Sequence, residues 1–496
     1  MSKTFPYYFM LFFFISGVIW SGFVTDTTLL TMNAIVFTAF LALIWIRKEL
    51  ILTMLHIPII LFVSWYWISC FYAIDVEAAI LEASRVSSLI PLSLMITMIP
   101  KGKYNHILSL WPWTGAFMVI VGSLFDMSRN GRLESTIQYA NALAIILLIN
   151  ILISMSNYTR TKSNITLILL AINSVGLLLT MSRSVWVFWL ISVIVLIAIT
   201  PELRKLKALA YVFGTHLLSL IFAALIKQDF LFFVNRVSSI QTNTSEFQIR
   251  LVYWKDSIHM MSDFLIGGSG GGGWTALQHL YQSQDYFVKY IHNHYIQVIL
   301  DVGIIGGLCG LLFIVFFFWQ GIQNIKNNKT TNHFDTKVII LIVTVILSHA
   351  AFDFDLIYPL IMTMLLFLIL SIDHKNMMIQ INTRWLFIIS ISSIILVVMF
   401  TWFAVGYNKK SLGIEIAREG NLLIAKENLE YAEKLLPWSS SILYESAKND
   451  VRLGNIDNKQ YYYSIAEDKL IVASAKVPRQ KKYSELLKEI RNYLLQ

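Results

Sequence analysis

Trp385-Leu386-Phe387-Ile388-Ile389-Ser390-Ile391-Ser392-Ser393-Ile394-Ile395-Leu396-Val397-Val398-Met399-Phe400-Thr401-Trp402-Phe403-Ala404-Val405-Gly406 carries no charged side chain. A helix of this length spans the hydrocarbon layer of a bilayer, roughly 30 Å thick, so the run reads as a transmembrane helix. Working back from it, apolar runs of similar length recur from Tyr7 onward, including Ile165 to Met181 and Ser184 to Thr200. The length criterion predicts roughly 13 spans. Composition agrees, because 56% hydrophobic residues, 14% charged residues and a mean hydropathy of +0.64 over 496 residues exclude a soluble globular chain. The predicted class is all-α. Residues 1–406 form a polytopic membrane helix bundle with a large external loop at 227–293, and residues 407–496 form an external helical domain.

The first run, Tyr7 to Val24, follows Lys3 as a signal peptide would. It is long and lacks a small-x-small cleavage site, so it is expected to remain as the first helix. Cys70 and Cys309 both lie within apolar runs, which offers neither a disulfide framework nor a cysteine zinc site. The net charge of +9 does not indicate nucleic acid here, because in a membrane protein the placement of basic residues matters more than their sum.

With the N-terminus in the cytoplasm, alternate loops on the inner side hold Arg47, Lys48, Lys101, Lys103, Arg160, Lys162, Arg204, Lys205, Lys207, Lys326, Lys329, Lys337, Lys375 and Arg384. This satisfies the positive-inside rule. The opposite loops hold Arg85, Arg129, Arg132, Arg183 and the segment Lys227 to Asn293. Arg183 is conspicuous, since it stands between two apolar runs with almost no loop around it, where a charge needs a partner or must snorkel. An odd number of spans places the tail outside the cytoplasm.

In that tail, Ile414, Ala417, Leu422, Leu423, Ala425, Leu429, Ala432 and Leu436 repeat with helical spacing. Gly420-Asn421 recurs as Gly454-Asn455, and Tyr431-Ala432-Glu433 as Ile465-Ala466-Glu467, at the offset of tetratricopeptide repeats, about 34 residues. Pro437 follows as that repeat expects. A plain helical hairpin fits the same residues. On either reading the tail is too short to stand alone and is expected to dock on the membrane domain or on a partner.

The loop 227–293 is too long for a passive connection. Within it, Gln248 to Ile258 has helical spacing that puts Arg250, Trp254 and Ser257 near one face. Gly267-Gly268-Ser269-Gly270-Gly271-Gly272-Gly273 reads either as an anion-binding nest or as a flexible linker, and matches neither nucleotide-binding glycine pattern. His292-Asn293-His294 follows, just ahead of a span holding Asp301, Gly303 and Gly306. A histidine at a membrane interface is commonly a polar anchor, but an imidazole also takes a proton from a hydroxyl near neutral pH, and arginines hold phosphates. Arg183, Arg250 and His292 fall on one predicted face, which favours chemistry.

These residues resemble the bacterial O-antigen ligase and O-antigen polymerase superfamily, which includes protein O-oligosaccharyltransferases and teichuronic-acid-type polymerases. The resemblance rests on Tyr139-Ala140-Asn141-Ala142-Leu143-Ala144, Ser182-Arg183-Ser184, Arg250 with Trp254, the Gly268 to Gly273 turn, His292-Asn293 with Gly303 and Gly306, and His349-Ala350-Ala351-Phe352-Asp353-Phe354-Asp355. It covers about residues 80 to 372. It implies transfer of glycan repeat units from an undecaprenyl-pyrophosphate carrier to an acceptor hydroxyl, inverting and without metal or nucleotide, at the outer face of the bacterial cytoplasmic membrane. On that basis Arg183 and Arg250 are the expected pyrophosphate ligands and His292 the general base. Tyr139, Asn141, Trp254, Asn293 and His294 are expected to bind substrate. Arg132 and Arg85 either extend that site or snorkel, and Asp353 and Asp355 either orient His292, contact sugar hydroxyls or are solvated.

The implied partners are a lipid-linked oligosaccharide donor, a glycan or other hydroxyl acceptor, membrane lipid and, through the tail, polysaccharide-assembly proteins. The final span and tail depart from a typical ligase. The Ile, Asn and Lys bias suits an AT-rich genome and a Gram-positive host, which without lipid A favours polymerisation over ligation. Two other readings compete, a flippase for lipid-linked glycans and a non-catalytic scaffold. The flippase predicts repeated halves and mid-membrane charges, whereas the notable charges here crowd one face.

Overall fold

The computed structural model describes residues 3–238, 245–327, 335–372, 377–457 and 460–494. Lys329, Lys375 and the 239–244 part of the long loop lie outside the described residues. Among the described residues the chain is all-α apart from two short two-stranded ribbons. In order, the membrane region runs α1 (Phe5–Ile19), α2 (Asp26–Arg47), α3 (His56–Ser69), α4 (Val76–Ser87), α5 (Leu89–Thr97), α6 (Tyr104–Leu124), α7 (Ala140–Thr161), α8 (Asn164–Leu179), α9 (Arg183–Ile199) and α10 (Leu206–Lys227). The long loop folds into α11 (Phe232–Ser238), α12 (Ser245–Asp263) and α13 (Gly273–Tyr281). Then come α14 (His294–Lys326), α15 (Thr336–His349), α16 (Pro359–Ser371) and α17 (Thr383–Arg418). The tail adds α18 (Leu422–Leu435), α19 (Ser440–Asp457), α20 (Gln460–Lys476) and α21 (Lys481–Leu494).

Among the described residues, seven helical segments are long and apolar enough to cross a membrane, and six shorter apolar helices of 10–17 residues accompany them. The six are α1, α3, α8, α9, α15 and α16. The first apolar run is one of these. It ends at Ile19, and a 3-10 turn at Ser21–Phe23 leads into α2.

Burial sorts the helices. In α7, 94% of the apolar stretch is buried, which makes it the central helix. In α10 only 22% is buried, and Leu217, Leu218, Ile221, Phe222 and Leu225 face outward, as a lipid-facing helix requires. The polarity of α7 fixes the two ends of the bundle, since Tyr139 precedes its first residue while Arg160 and Lys162 end it, about 33 Å away by helix rise. One ribbon pairs β1 (Glu49–Leu52) antiparallel with β4 (Met377–Gln380), next to Arg47 and Lys48. The other pairs β2 (Ser128–Arg129) with β3 (Arg132–Leu133), ahead of Tyr139.

The glycine run is neither linker nor open nest. Residues 268–271 are buried, and a Cβ on Gly268, Gly270, Gly271 or Gly272 would strike Asp301, Ala73, Glu82 or Ala78. The run therefore brings backbone against the turn before α4 and against α14 where no side chain fits. Gly303 is its counterpart. With φ +65° it breaks α14, and a Cβ there would overlap the Ile266 carbonyl. At the break, Ile304 N donates to Leu265 O (2.8 Å) and Ser269 N to Leu300 O (2.7 Å), so the loop takes up backbone groups that the kink exposes.

α17 passes through Gly406 and Tyr407 without interruption, so span and tail share one helix of 36 residues. Gly406 and Gly413 admit Leu436 and Leu429 and let α18 fold back closely. The two Gly-Asn copies play different parts. Gly420 takes φ +92° to end α17, whereas Gly454 lies within α19 and makes room for the Tyr463 ring. Ala432 and Ala466, in the other recurring motif, are both fully buried in their helices. The tail docks on the membrane region at buried Glu77, whose carboxylate accepts from Tyr407 Oη (2.8 Å), Ser439 Oγ (2.6 Å), Ser440 Oγ (3.1 Å) and Ser441 N (2.9 Å) and also from Ser441 Oγ. A second patch sets Ala473, Val477 and Tyr483 against Ala276 of α13.

Candidate functional site

The segment between α15 and α16, residues 350–358, is the centre of the site. Its fully buried Asp353 accepts hydrogen bonds from Tyr139 Oη (2.9 and 3.0 Å to its two oxygens), Asn141 Nδ2 (2.5 Å) and Phe354 N (2.9 Å). His292 Nδ1 lies 3.2 Å from Asp353 Oδ1, at ion-pair distance but off hydrogen-bond alignment, and Arg250 Nη2 lies 3.8 Å from Oδ2. Arg250 also donates from Nη1 to the Phe352 carbonyl (2.7 Å). Burial alone would raise the Asp353 carboxyl, but the adjoining His292 ring, then Arg250 and His349, hold it well below the usual carboxylate range. Tyr139 is pushed the other way, first by burial and then by the Asp353 charge, so it stays a proton donor to that carboxylate.

Each contributor is held by its own element. Asn141 lies in the first turn of α7, and its Oδ1 accepts from Arg132 Nη2 (2.5 Å) while Arg132 Nε donates to Thr180 O (2.9 Å). That chain ties β3 and the end of α8 to Asp353. α12 forms where helical spacing predicts it, and Arg250 and Trp254 both reach the Phe352 segment, Trp254 with ring centroids 6.4 Å apart. Asp256 on the same helix accepts from Ser283 N (2.9 Å) and Tyr286 Oη (2.8 Å), which pins the segment leading to His292 onto α12. Gln297 accepts from Ile291 N (3.1 Å) and donates to Asp301 (2.9 Å), fixing the backbone beside His292. The Phe354 ring stacks on Tyr139 at 4.8 Å and meets His292 edge-on at 4.9 Å.

Several expected substrate ligands have structural occupations. Asn293 caps α14, accepting from Tyr295 N and Ile296 N (both 3.1 Å). His294 donates its backbone N–H to Ala350 O (2.8 Å), which docks α14 on the Asp353 segment, and its Nδ1 is buried. Arg85 is 3% exposed, so it does not snorkel. It pairs with Glu82 (2.9 Å), donates to Ile357 O (3.2 Å) and reaches Tyr290 Oη (3.4 Å). Glu82 accepts from Tyr290 Oη (3.0 Å), so the group braces the loop behind Phe354. Asp355 is also buried, not solvated, and contacts His349 Nδ1.

Arg183 is the first residue of α9. Its neighbour Ser184 bonds through Oγ to His349 Nε2 (3.1 Å), which brings that turn to the end of α15 that carries the Asp353 segment. His349, Ser184, Phe352 and Phe354 belong to the arrangement although sequence reasoning did not single them out as site residues. The signal for His349 is its place six residues before Asp355 in a motif already noted.

Chemically, the cluster offers an imidazole backed by an ionised carboxylate, a guanidinium oriented by a carbonyl, and a second arginine on an adjoining turn. That set suits proton removal from a hydroxyl beside an anionic leaving group. A comparison with curated proteins gives no match. Residues 165–311, which include Arg183, Arg250 and His292, match the family model described as O-antigen ligase, and this match supports the O-antigen ligase and polymerase superfamily and glycan transfer of that general type.

Proposed function

We propose that the protein is an inverting glycan polymerase or ligase that takes repeat units from an undecaprenyl-pyrophosphate carrier. The observation that carries this reading is the convergence of His292 and Arg250 on buried Asp353. With Nδ1 beside the Asp353 carboxylate at 3.2 Å, the Nε2 atom of His292 takes the acceptor hydroxyl proton as the oxygen attacks the anomeric carbon. The anomeric C–O bond to the carrier breaks on the opposite side, and the departing pyrophosphate keeps the electron pair. Arg250 and Arg183 stabilise that charge. Asp353 fixes the ring and balances the imidazolium, a role familiar from carboxylate–histidine pairs.

In this reading the seven long and six shorter apolar helices all cross the bacterial cytoplasmic membrane, with the N-terminus inside. The basic residues at the Arg160–Lys162 end of α7 then face the cytoplasm, and the Asp353 site and tail lie outside. Tyr139, Asn141, Arg132 and Trp254 line the donor and acceptor sugars, and the tail, a short tetratricopeptide-like array, presents the growing glycan or a polysaccharide-assembly partner. Reconstituting the protein with lipid-linked repeat units and following chain growth tests the reading. Elongated, lipid-linked product is expected. Transbilayer movement of donor without a new glycosidic bond would replace it with the flippase reading.

A further inference from the structure

A second imidazole–carboxylate pair lies beside the first and has no part in the proton transfer just described. Asp355 Oδ2 contacts His349 Nδ1, and His349 Nε2 is 3.1 Å from Ser184 Oγ. The three residues come from the 350–358 segment, the last turn of α15 and the first turn of α9. His349 and Asp355 are 0% and 1% exposed, and the ring is packed edge-on against Phe188 (5.7 Å). Asp353 N donates to His349 O (3.1 Å), so both pairs hang from one turn.

The Asp355 carboxylate accepts the Nδ1 proton of His349, and Nε2 meets the Ser184 hydroxyl, which donates to a neutral ring and accepts from a protonated one, so the contact holds Ser184 in either state. Ser184 is thereby fixed in rotation as well as position, and Arg183 is the residue before it. A buried carboxylate and imidazole cost desolvation that an aliphatic pair of similar volume would not, so a packing role alone is a poor account of them.

The geometry points to Asp355, His349 and Ser184 as a positioning relay that holds the Arg183 turn in the orientation that serves a pyrophosphate. The relay rests on the glycan-transfer reading only in giving Arg183 that ligand. The same residue types make a nucleophilic triad in other enzymes. An inverting transfer needs no enzyme nucleophile, so the relay here orients.

Binding is the direct test. Full-length protein in nanodiscs is titrated with undecaprenyl pyrophosphate, as wild type and as His349→Gln, Asp355→Asn, Ser184→Ala, Ser184→Thr and Arg183→Ala, with thermal unfolding as a check on folding. His349→Gln and Ser184→Ala should each weaken binding by about tenfold, as loss of a hydrogen bond orienting a charged ligand group does, and Ser184→Thr should restore most of it. Combined with Arg183→Ala, His349→Gln should add little further loss, because both changes remove one interaction. Losses that multiply in the double variant, or covalent labelling of Ser184 by a fluorophosphonate, would overturn the relay. Binding by wild type without turnover of lipid-linked glycan would overturn the transfer reading and leave the relay standing, whereas no binding by wild type would overturn the assignment of Arg183 and the relay with it. Should Asp355→Asn fail to fold, the Ser184 and His349 variants carry the test.

Discussion

Replacing Asp353 by asparagine removes the charge on which His292 and Arg250 converge while nearly preserving shape. The carboxylate accepts from Tyr139, Asn141 and Phe354 N and faces His292 on its other side. An amide keeps a single acceptor oxygen, so its NH2 must point either at Asn141 Nδ2 or at His292 Nδ1, and one buried donor is left without an acceptor. That costs about 1–3 kcal/mol of stability. The kinetic loss should be larger. A general base contributes about 10²- to 10⁴-fold, and a ring deprived of its carboxylate loses both tautomer and orientation, so turnover should fall by about that factor, or about 3–5 kcal/mol in the barrier. The assay is single-turnover elongation of lipid-linked repeat units in proteoliposomes, paired with thermal unfolding in detergent. The stability difference also has a defined pH dependence. Because the Asp353 carboxyl is held below its unfolded value, its contribution is fully present above the unfolded carboxylate pKa and is lost as pH falls through the folded one. The gap between wild type and Asp353→Asn should therefore stay constant from about pH 5 to 8 and close only below about pH 4. An Asp353→Asn variant with wild-type turnover, or a gap that closes near neutrality, would refute the role given to this carboxylate.

Other expectations follow from particular contacts. Arg250→Lys loses the planar fork that reaches Phe352 O and Asp353 together, and elongation kinetics should show kcat/KM for the lipid donor lower by about 10- to 100-fold. Gly303→Ala forces a side chain to φ +65° against the Ile266 carbonyl; a loss of about 3 kcal/mol is expected and should appear as a lower Tm. Glu77→Gln sets an amide NH2 among the Tyr407 and serine donors of the tail, so limited proteolysis should cut residues beyond 407 faster, consistent with about 2–4 kcal/mol of lost docking.

The membrane helices were legible because an uninterrupted apolar run has few other uses, and α12 because Arg250, Trp254 and Ser257 recur at helical spacing. The convergence on Asp353 was not, since that residue lies 214 positions from Tyr139 and contact over such separations leaves no local pattern. Asp353 and Asp355, two residues apart, read alike in the sequence, yet one is shared by His292 and Arg250 and the other belongs to His349. The glycine run illustrates a different limit. Its composition permits a linker, and only the neighbours its backbone touches, Ala73, Ala78, Glu82 and Asp301, show that it serves close packing. Asn293 shows the reverse, because an asparagine just ahead of a helical run is a capping signal that was available and was outweighed by its histidine neighbours.

The central claim is that His292 removes the acceptor proton. Wild type and His292→Ala should be reconstituted with lipid-linked repeat units and their rates of glycosidic bond formation compared at saturating donor. The account predicts a fall of about 10²- to 10⁴-fold in the variant with donor binding retained. Undiminished product from His292→Ala would contradict it.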